Sequence, residues 1–183
     1  MNSRISLLSL IILAIFSCKE KDIDPFATIQ PEENRFTKVT LVEKLNEPME
    51  LEVLDNFDVL FIERGGKVRR FLAETGNVEE VGFLDVYAQN EDGLLGLAKD
   101  PNFNENQWIY LYYAPTGPDS INRLSRFSLT DGLLDKGSEK VMLEVPVFRG
   151  CCHSGGSLEF DSKGNLFLSL GDDTTPFVEG RFE

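Results

Sequence analysis

The sequence predicts an all-β chain of propeller type, and three observations predict it. Beyond the first 35 residues no stretch sustains an apolar period near ~3.6 between capping residues, so helix is a minor component. Short apolar or alternating runs instead follow one another, bounded by Gly, Asn, Asp and Pro, which is the pattern of many short strands in a sandwich, barrel or propeller. One unit also recurs: Leu51–Ile62, Leu95–Pro101 with Trp108–Tyr112, and Leu158–Gly171 each read as strand, acidic turn, strand. Anchored on Asp55, Asp100 and Asp161, the copies lie 45 and 61 residues apart. Those intervals suit blades of about 40–50 residues with loop insertions. A sandwich has no need of such a recurrence.

Taken in order, residues 1–17 read as a secretory signal. Arg4 supplies a positive start, and Ile5 to Phe16 form an apolar run broken only by Ser6 and Ser9. The run is short of the ~20 residues a membrane-spanning helix needs. Ser17-Cys18 closes it, followed at once by Lys19, Glu20, Lys21 and Asp22. This resembles a bacterial lipobox, in which Cys18 is lipidated and becomes the new N-terminus; the alternative is an ordinary signal with an incidental cysteine. Residues 18–35 are polar, with Pro25 and Pro31, and read as a tether. The predicted strands are Phe36–Glu43, Met49–Leu54, Asp58–Glu63, Lys67–Leu72, Glu79–Leu84, Leu94–Lys99, Trp108–Ala114, Arg123–Leu129, Lys140–Val145, Ser157–Asp161 and Asn165–Leu170. Eleven strands make fewer than three blades, whereas propellers close at ~4–8 blades of four strands. Residues 36–183 are therefore expected to form an incomplete propeller, the N-terminal part of a longer fold.

The charge narrows the partners. The chain carries a net charge of −13, and loss of residues 1–17, with Arg4, leaves −14. Nucleic acid is excluded as a partner on this ground, because phosphate binding needs clustered Lys and Arg. With Cys18 lipidated, Cys151 and Cys152 remain, side by side. An oxidising compartment allows a vicinal disulfide, although Cα atoms ~3.8 Å apart make a strained ring; two free or separately paired thiols are the alternative.

Three segments carry the chemistry. They are Glu91-Asp92-Gly93-Leu94-Leu95-Gly96 running on to Asp100-Pro101-Asn102-Phe103, then His153-Ser154-Gly155-Gly156-Ser157, then Gly164-Asn165-Leu166 through Gly171-Asp172-Asp173. With Glu63-Arg64-Gly65-Gly66 upstream and Asn122-Arg123-Leu124-Ser125-Arg126 between them, their order and spacing resemble the glucose/sorbosone dehydrogenases. These are quinoproteins that use pyrroloquinoline quinone (PQQ). The resemblance implies a six-bladed propeller with PQQ on a calcium ion in a central depression, and oxidation of a sugar hydroxyl by hydride transfer to the quinone. It also implies a downstream electron acceptor such as a cytochrome.

Within that resemblance His153, the sole histidine, matches the general base. An imidazole with an ordinary pKa of ~6.5 suits proton removal near neutral pH. Gly155 and Gly156 lack Cβ atoms, so their backbone can pass close to a planar cofactor. Glu91 stands where the family often has a glutamine touching the quinone; it either contacts PQQ or orders its loop. Asp172 and Asp173 are read as ligands for a cation or as a turn after Gly171. The calcium ligands and most PQQ-gripping cations are expected beyond this chain. Trp108, Tyr110 and Tyr112 share one strand face and are read as packing between blades. The competing readings are a non-catalytic propeller that binds a carbohydrate or protein partner, and an inactive gene fragment. Export with a lipid anchor implies the outer membrane, periplasm or cell surface.

Overall fold

A computed structural model describes residues 35–150 and 153–172. Cys18, Cys151, Cys152 and Asp173 lie outside the described residues. The described residues from Thr40 onward fall in one compact unit.

The first sheet holds β1 (Pro48–Val53), β2 (Val59–Glu63), β3 (Lys67–Phe71) and β4 (Val78–Phe83), antiparallel in chain order. The second repeats this arrangement with β5 (Leu94–Lys99), β6 (Trp108–Tyr113), β7 (Ile121–Thr130) and β8 (Leu133–Pro146). β9 (Gly155–Phe160) and β10 (Leu166–Leu170) begin a third. The leading strands adjoin one another, β1 against β5 and β5 against β9. Sheets that start side by side and extend outward in chain order are the blades of a propeller.

Strand alternation explains why the blades stack. On β6, Ile109, Leu111 and Tyr113 face the first blade, joining Leu60, Ile62 and Val68 in one core. Tyr110 and Tyr112 point the other way, to Leu158, Phe160 and Leu168 of the third blade. Tyr110 meets Phe160 edge-on, ring centroids 5.2 Å apart, a favourable aromatic geometry. Tyr110 and Tyr112 thus pack between blades as their alternation predicts, while the Trp108 ring carries the Arg126 guanidinium 3.9 Å from its centroid. β5 is buried on both faces because it is sandwiched: Leu94 and Leu97 face inward to the first blade, Leu95 and Ala98 to the third. A register shift between Leu94 and Gly96 permits this by moving the alternation along by one residue.

The recurring aspartates tie the turns. Asp100 accepts hydrogen bonds from the Asn102 backbone N–H at 2.9 Å, the Asn106 amide at 2.9 Å and the Tyr110 hydroxyl at 2.8 Å. Asp161 similarly accepts from the backbone N–H groups of Lys163 and Asn165. In the first blade Asp58, not Asp55, does the work, binding the Ala73 N–H at 2.8 Å and Arg70 at 2.7 Å.

Two expectations need correction. Phe36–Glu43 forms no strand; Phe36, Val39 and Leu41 are exposed and have no sheet to lie on, and strand preference is largely a fit to a half-buried surface. β8 begins at Leu133, well before the expected Lys140. The Asp131-Gly132 pair, both at positive φ (53° and 79°), makes the tight hairpin that pairs Thr130 with Leu133. A single helical turn, α1 (Phe103–Asn106), sits between β5 and β6 and buries Phe103.

Candidate active site

The loops before β5, before β9 and after β10 meet at one end of the blades. The first two of these, with the start of β1, border an open depression of about 320 Å³ lined by Glu47, Met49, Arg64, Asn90, Glu91, Leu95, Ser154 and Gly155.

His153 lines a separate small cleft of about 50 Å³ with Tyr112, Val145, Ser154, Leu170 and Gly171, and has an unusual backbone, φ +70°. A non-glycine residue in that region is strained and persists only where surroundings over-determine it. Two partners do so. The His153 backbone N–H donates to Glu91 Oε2 at 2.6 Å, and His153 Nδ1 meets Asp172 Oδ1 at 2.6 Å. Asp172 reaches the ring because Gly171 has no side chain: a Cβ there would overlap the His153 carbonyl oxygen and lie 3.0 Å from its Cα. A carboxylate facing Nδ1 favours the tautomer with the proton on Nδ1, which leaves the basic lone pair on Nε2. Both side chains are about half exposed, at 47% and 49%.

The loop before β5 holds the loop before β9 through three consecutive side chains. The Asn90 amide donates to the Arg149 carbonyl at 3.0 Å, Glu91 takes the His153 N–H, and Asp92 Oδ1 accepts from Ser154 Oγ at 3.1 Å. Asp92 is buried (2% exposed) and also accepts from the Asn122 amide at 3.2 Å. Arg64 organises the same loop from beneath. Its guanidinium donates to the carbonyls of Ala88, Asn90 and Asp92 and pairs with Glu47 at 2.8 Å.

Gly156 adopts φ +122°, and a Cβ on it would come within 2.8 Å of Leu95 Cβ and 2.9 Å of Tyr112 Cδ1. The missing side chain therefore lets β9 close on β5, while Gly155 lines the depression. Glu91 thus bonds the His153 backbone and Asp172 the His153 ring. Asp92, Asn90 and Arg64 were not singled out in the sequence. Arg64 carries a readable signal, a cation directly before Gly65-Gly66, but its targets are backbone carbonyls that sequence does not display. Arg123 pairs with Glu144 at 2.7 Å.

These residues fit one part of a PQQ site. Leu95, Met49 and the bare backbone at Gly155 offer an apolar floor beside a proton acceptor. The charges fit less well: Glu47, Glu91, Asp92 and Asp172 crowd the region, and Arg64 is already engaged. An anionic cofactor there needs further cations. Among the described residues no group of three or more His, Cys, Asp or Glu is set to hold a metal ion.

Blades radiating from adjoining first strands, with a histidine–carboxylate pair at their inner end, define a propeller of the sugar-dehydrogenase class. The match is direct, since residues 45–179 fit the glucose/sorbosone dehydrogenase family model, and the chain belongs to that family. It is 33% identical over 138 residues to the aldose sugar dehydrogenase YliI of Escherichia coli, covering 73% of this chain and 37% of that protein. The PQQ-bound aldose sugar dehydrogenase of Streptomyces coelicolor superposes with a TM-score of 0.64 at 26% identity, over 75% of this chain and 41% of that one. Human Hedgehog-interacting protein is 30% identical over 159 residues, 76% of this chain and 22% of its own. The chain thus spans about two fifths or less of the relatives it matches.

Proposed function

We propose that this chain is the base-bearing portion of a PQQ-dependent sugar dehydrogenase, with His153 as general base. The observation that carries the reading is the 2.6 Å contact between His153 Nδ1 and Asp172 Oδ1. Asp172 holds the Nδ1 proton, so Nε2 accepts the proton of a sugar hydroxyl. The imidazolium formed is then stabilised by the Asp172 carboxylate, as in other histidine–carboxylate catalysts. PQQ, when bound, supplies the two-electron acceptor for the hydride leaving the same carbon. Gly155, Leu95 and Met49 would border it, and calcium would offset the surrounding carboxylates. A cytochrome or similar carrier would reoxidise it.

The test uses the polypeptide of the complete reading frame, supplied with PQQ and calcium, in a dye-reduction assay with aldoses. Wild type is expected to turn over and His153→Ala to lose at least ~100-fold in kcat, the usual scale of general-base catalysis. Unchanged turnover in His153→Ala would remove the assigned role.

Export with lipidation at Cys18 belongs to the same reading, because a quinoprotein feeding a carrier works outside the cytoplasm. Among the described residues no helix is long and apolar enough to cross a membrane. Incorporation of labelled fatty acid, lost in Cys18→Ser, tests it. A second reading, a non-catalytic propeller for a protein partner, is favoured by the likeness to a relative named for interacting with Hedgehog. Absence of turnover with every aldose would favour it.

A further inference from the structure

We infer that Glu91 is a positioning residue, whose carboxylate clamps the His153 backbone N–H and so holds the imidazole against Asp172. The inference rests on the reading of His153 as the base. Three observations carry it. The Glu91 Oε2 to His153 N distance is 2.6 Å, the short range of charge-assisted hydrogen bonds. The residue clamped is the one whose φ of +70° needs an outside constraint. The clamp also does not stand alone: Asn90 grips Arg149 and Asp92 grips Ser154, so the three neighbours fix the chain on both sides of the base. Arg64 in turn fixes the residues on either side of Glu91 through the carbonyls of Asn90 and Asp92.

Removing the carboxylate therefore frees the His153 peptide without touching the ring. The backbone is then expected to leave its strained conformation and carry Nδ1 away from Asp172. A glutamine keeps a carbonyl acceptor at the same reach and preserves the clamp, whereas an aspartate keeps the charge but falls short.

The sole histidine makes the test specific. In the chain labelled with isotopic histidine there is one histidine amide resonance and one imidazole pair. In wild type the His153 amide proton is expected far downfield, with the ring fixed as the Nδ1–H tautomer. Glu91→Ala and Glu91→Asp should move the amide upfield and mix the tautomers, and Glu91→Gln should restore both. In the complete enzyme Glu91→Ala should lower kcat about tenfold, the loss of one hydrogen bond to a charged group, with the sugar KM unchanged. Glu91→Gln should recover most of it. An amide resonance unmoved in both Glu91→Ala and Glu91→Asp overturns the inference. So does a Glu91→Gln enzyme as impaired as Glu91→Ala despite a restored amide, because that assigns Glu91 to direct contact with cofactor or sugar. Failure of the base reading shows separately, as an active His153→Ala enzyme, and leaves the resonance arm intact.

Discussion

Replacing Gly171 by alanine is the smallest change that should disconnect His153 from Asp172. The backbone at Gly171 has no positive φ, so alanine meets no conformational penalty and the effect is purely steric. Its Cβ would overlap the His153 carbonyl oxygen and sit 3.0 Å from the His153 Cα, and both obstacles are backbone atoms that cannot rotate aside. Relief requires the start of β9 and the end of β10 to separate by roughly 1–2 Å, to reach ordinary contact distances. The His153–Asp172 contact of 2.6 Å cannot survive that movement as a hydrogen bond. Overpacking of this kind costs about 1–3 kcal/mol of stability, and a misplacement near 1 Å at a reacting group costs about 100-fold in rate. Gly65→Ala is the matched control, with no positive φ and nothing within 4 Å of the added carbon, and should change stability by less than ~0.5 kcal/mol. Urea midpoints measure the first effect and dye reduction by the complete enzyme measures the second. A Gly171→Ala enzyme with wild-type kcat would refute the claim that this pair forms the base.

Three further outcomes follow from the turns. Asp100→Ala leaves the buried Tyr110 hydroxyl without its acceptor and should cost about 1–3 kcal/mol by urea denaturation. Burial and then the bond to Asp100 push the Tyr110 phenol up to about 12, so phenolate absorbance should rise at lower pH in Asp100→Ala than in wild type. Because that pKa is raised above its unfolded value near ~10, the stability it contributes is present below pH ~10 and is lost as pH climbs through about 12. At the acid end, burial works to raise Asp58 and Asp100, but their hydrogen bonds, with Arg70 beside Asp58 and Arg126 near Asp100, hold both below the usual carboxylate range. Their stabilisation is present above the unfolded value near ~3.9 and disappears as pH falls through the lower folded values. Glu52, raised chiefly by burial, contributes with the opposite sign. Asp58→Asn should therefore flatten the acid limb of a stability–pH curve, and an unchanged limb would contradict the assignment.

Most of the blade plan was legible because its strands alternate. β2, β5 and β6 were readable from their apolar runs, and the Asp100 and Asp161 turns marked where leading strands end. Phe36–Glu43 alternates equally well yet forms no strand, since periodicity reports a face and not the presence of a neighbour to cover it. The first half of β8 is polar, as Asp135, Lys136 and Ser138 show, and only the Asp131-Gly132 turn announced it. The site was half legible. His153, Glu91, Asp172 and the glycines stood out by motif, but their mutual contacts join residues 19 and 62 positions apart through backbone N–H groups and a missing Cβ. Such contacts depend on how β9 and β10 meet β5, which no local pattern encodes.

Base catalysis by His153 turns on which of its imidazole nitrogens carries the proton. Nitrogen resonances of the single histidine, recorded in wild type and Asp172→Asn, measure it directly. A proton fixed on Nδ1 in wild type, giving way to mixed tautomers in Asp172→Asn, is the result expected of a base whose lone pair is on Nε2. A wild-type proton on Nε2, or tautomers indifferent to Asp172→Asn, would contradict it.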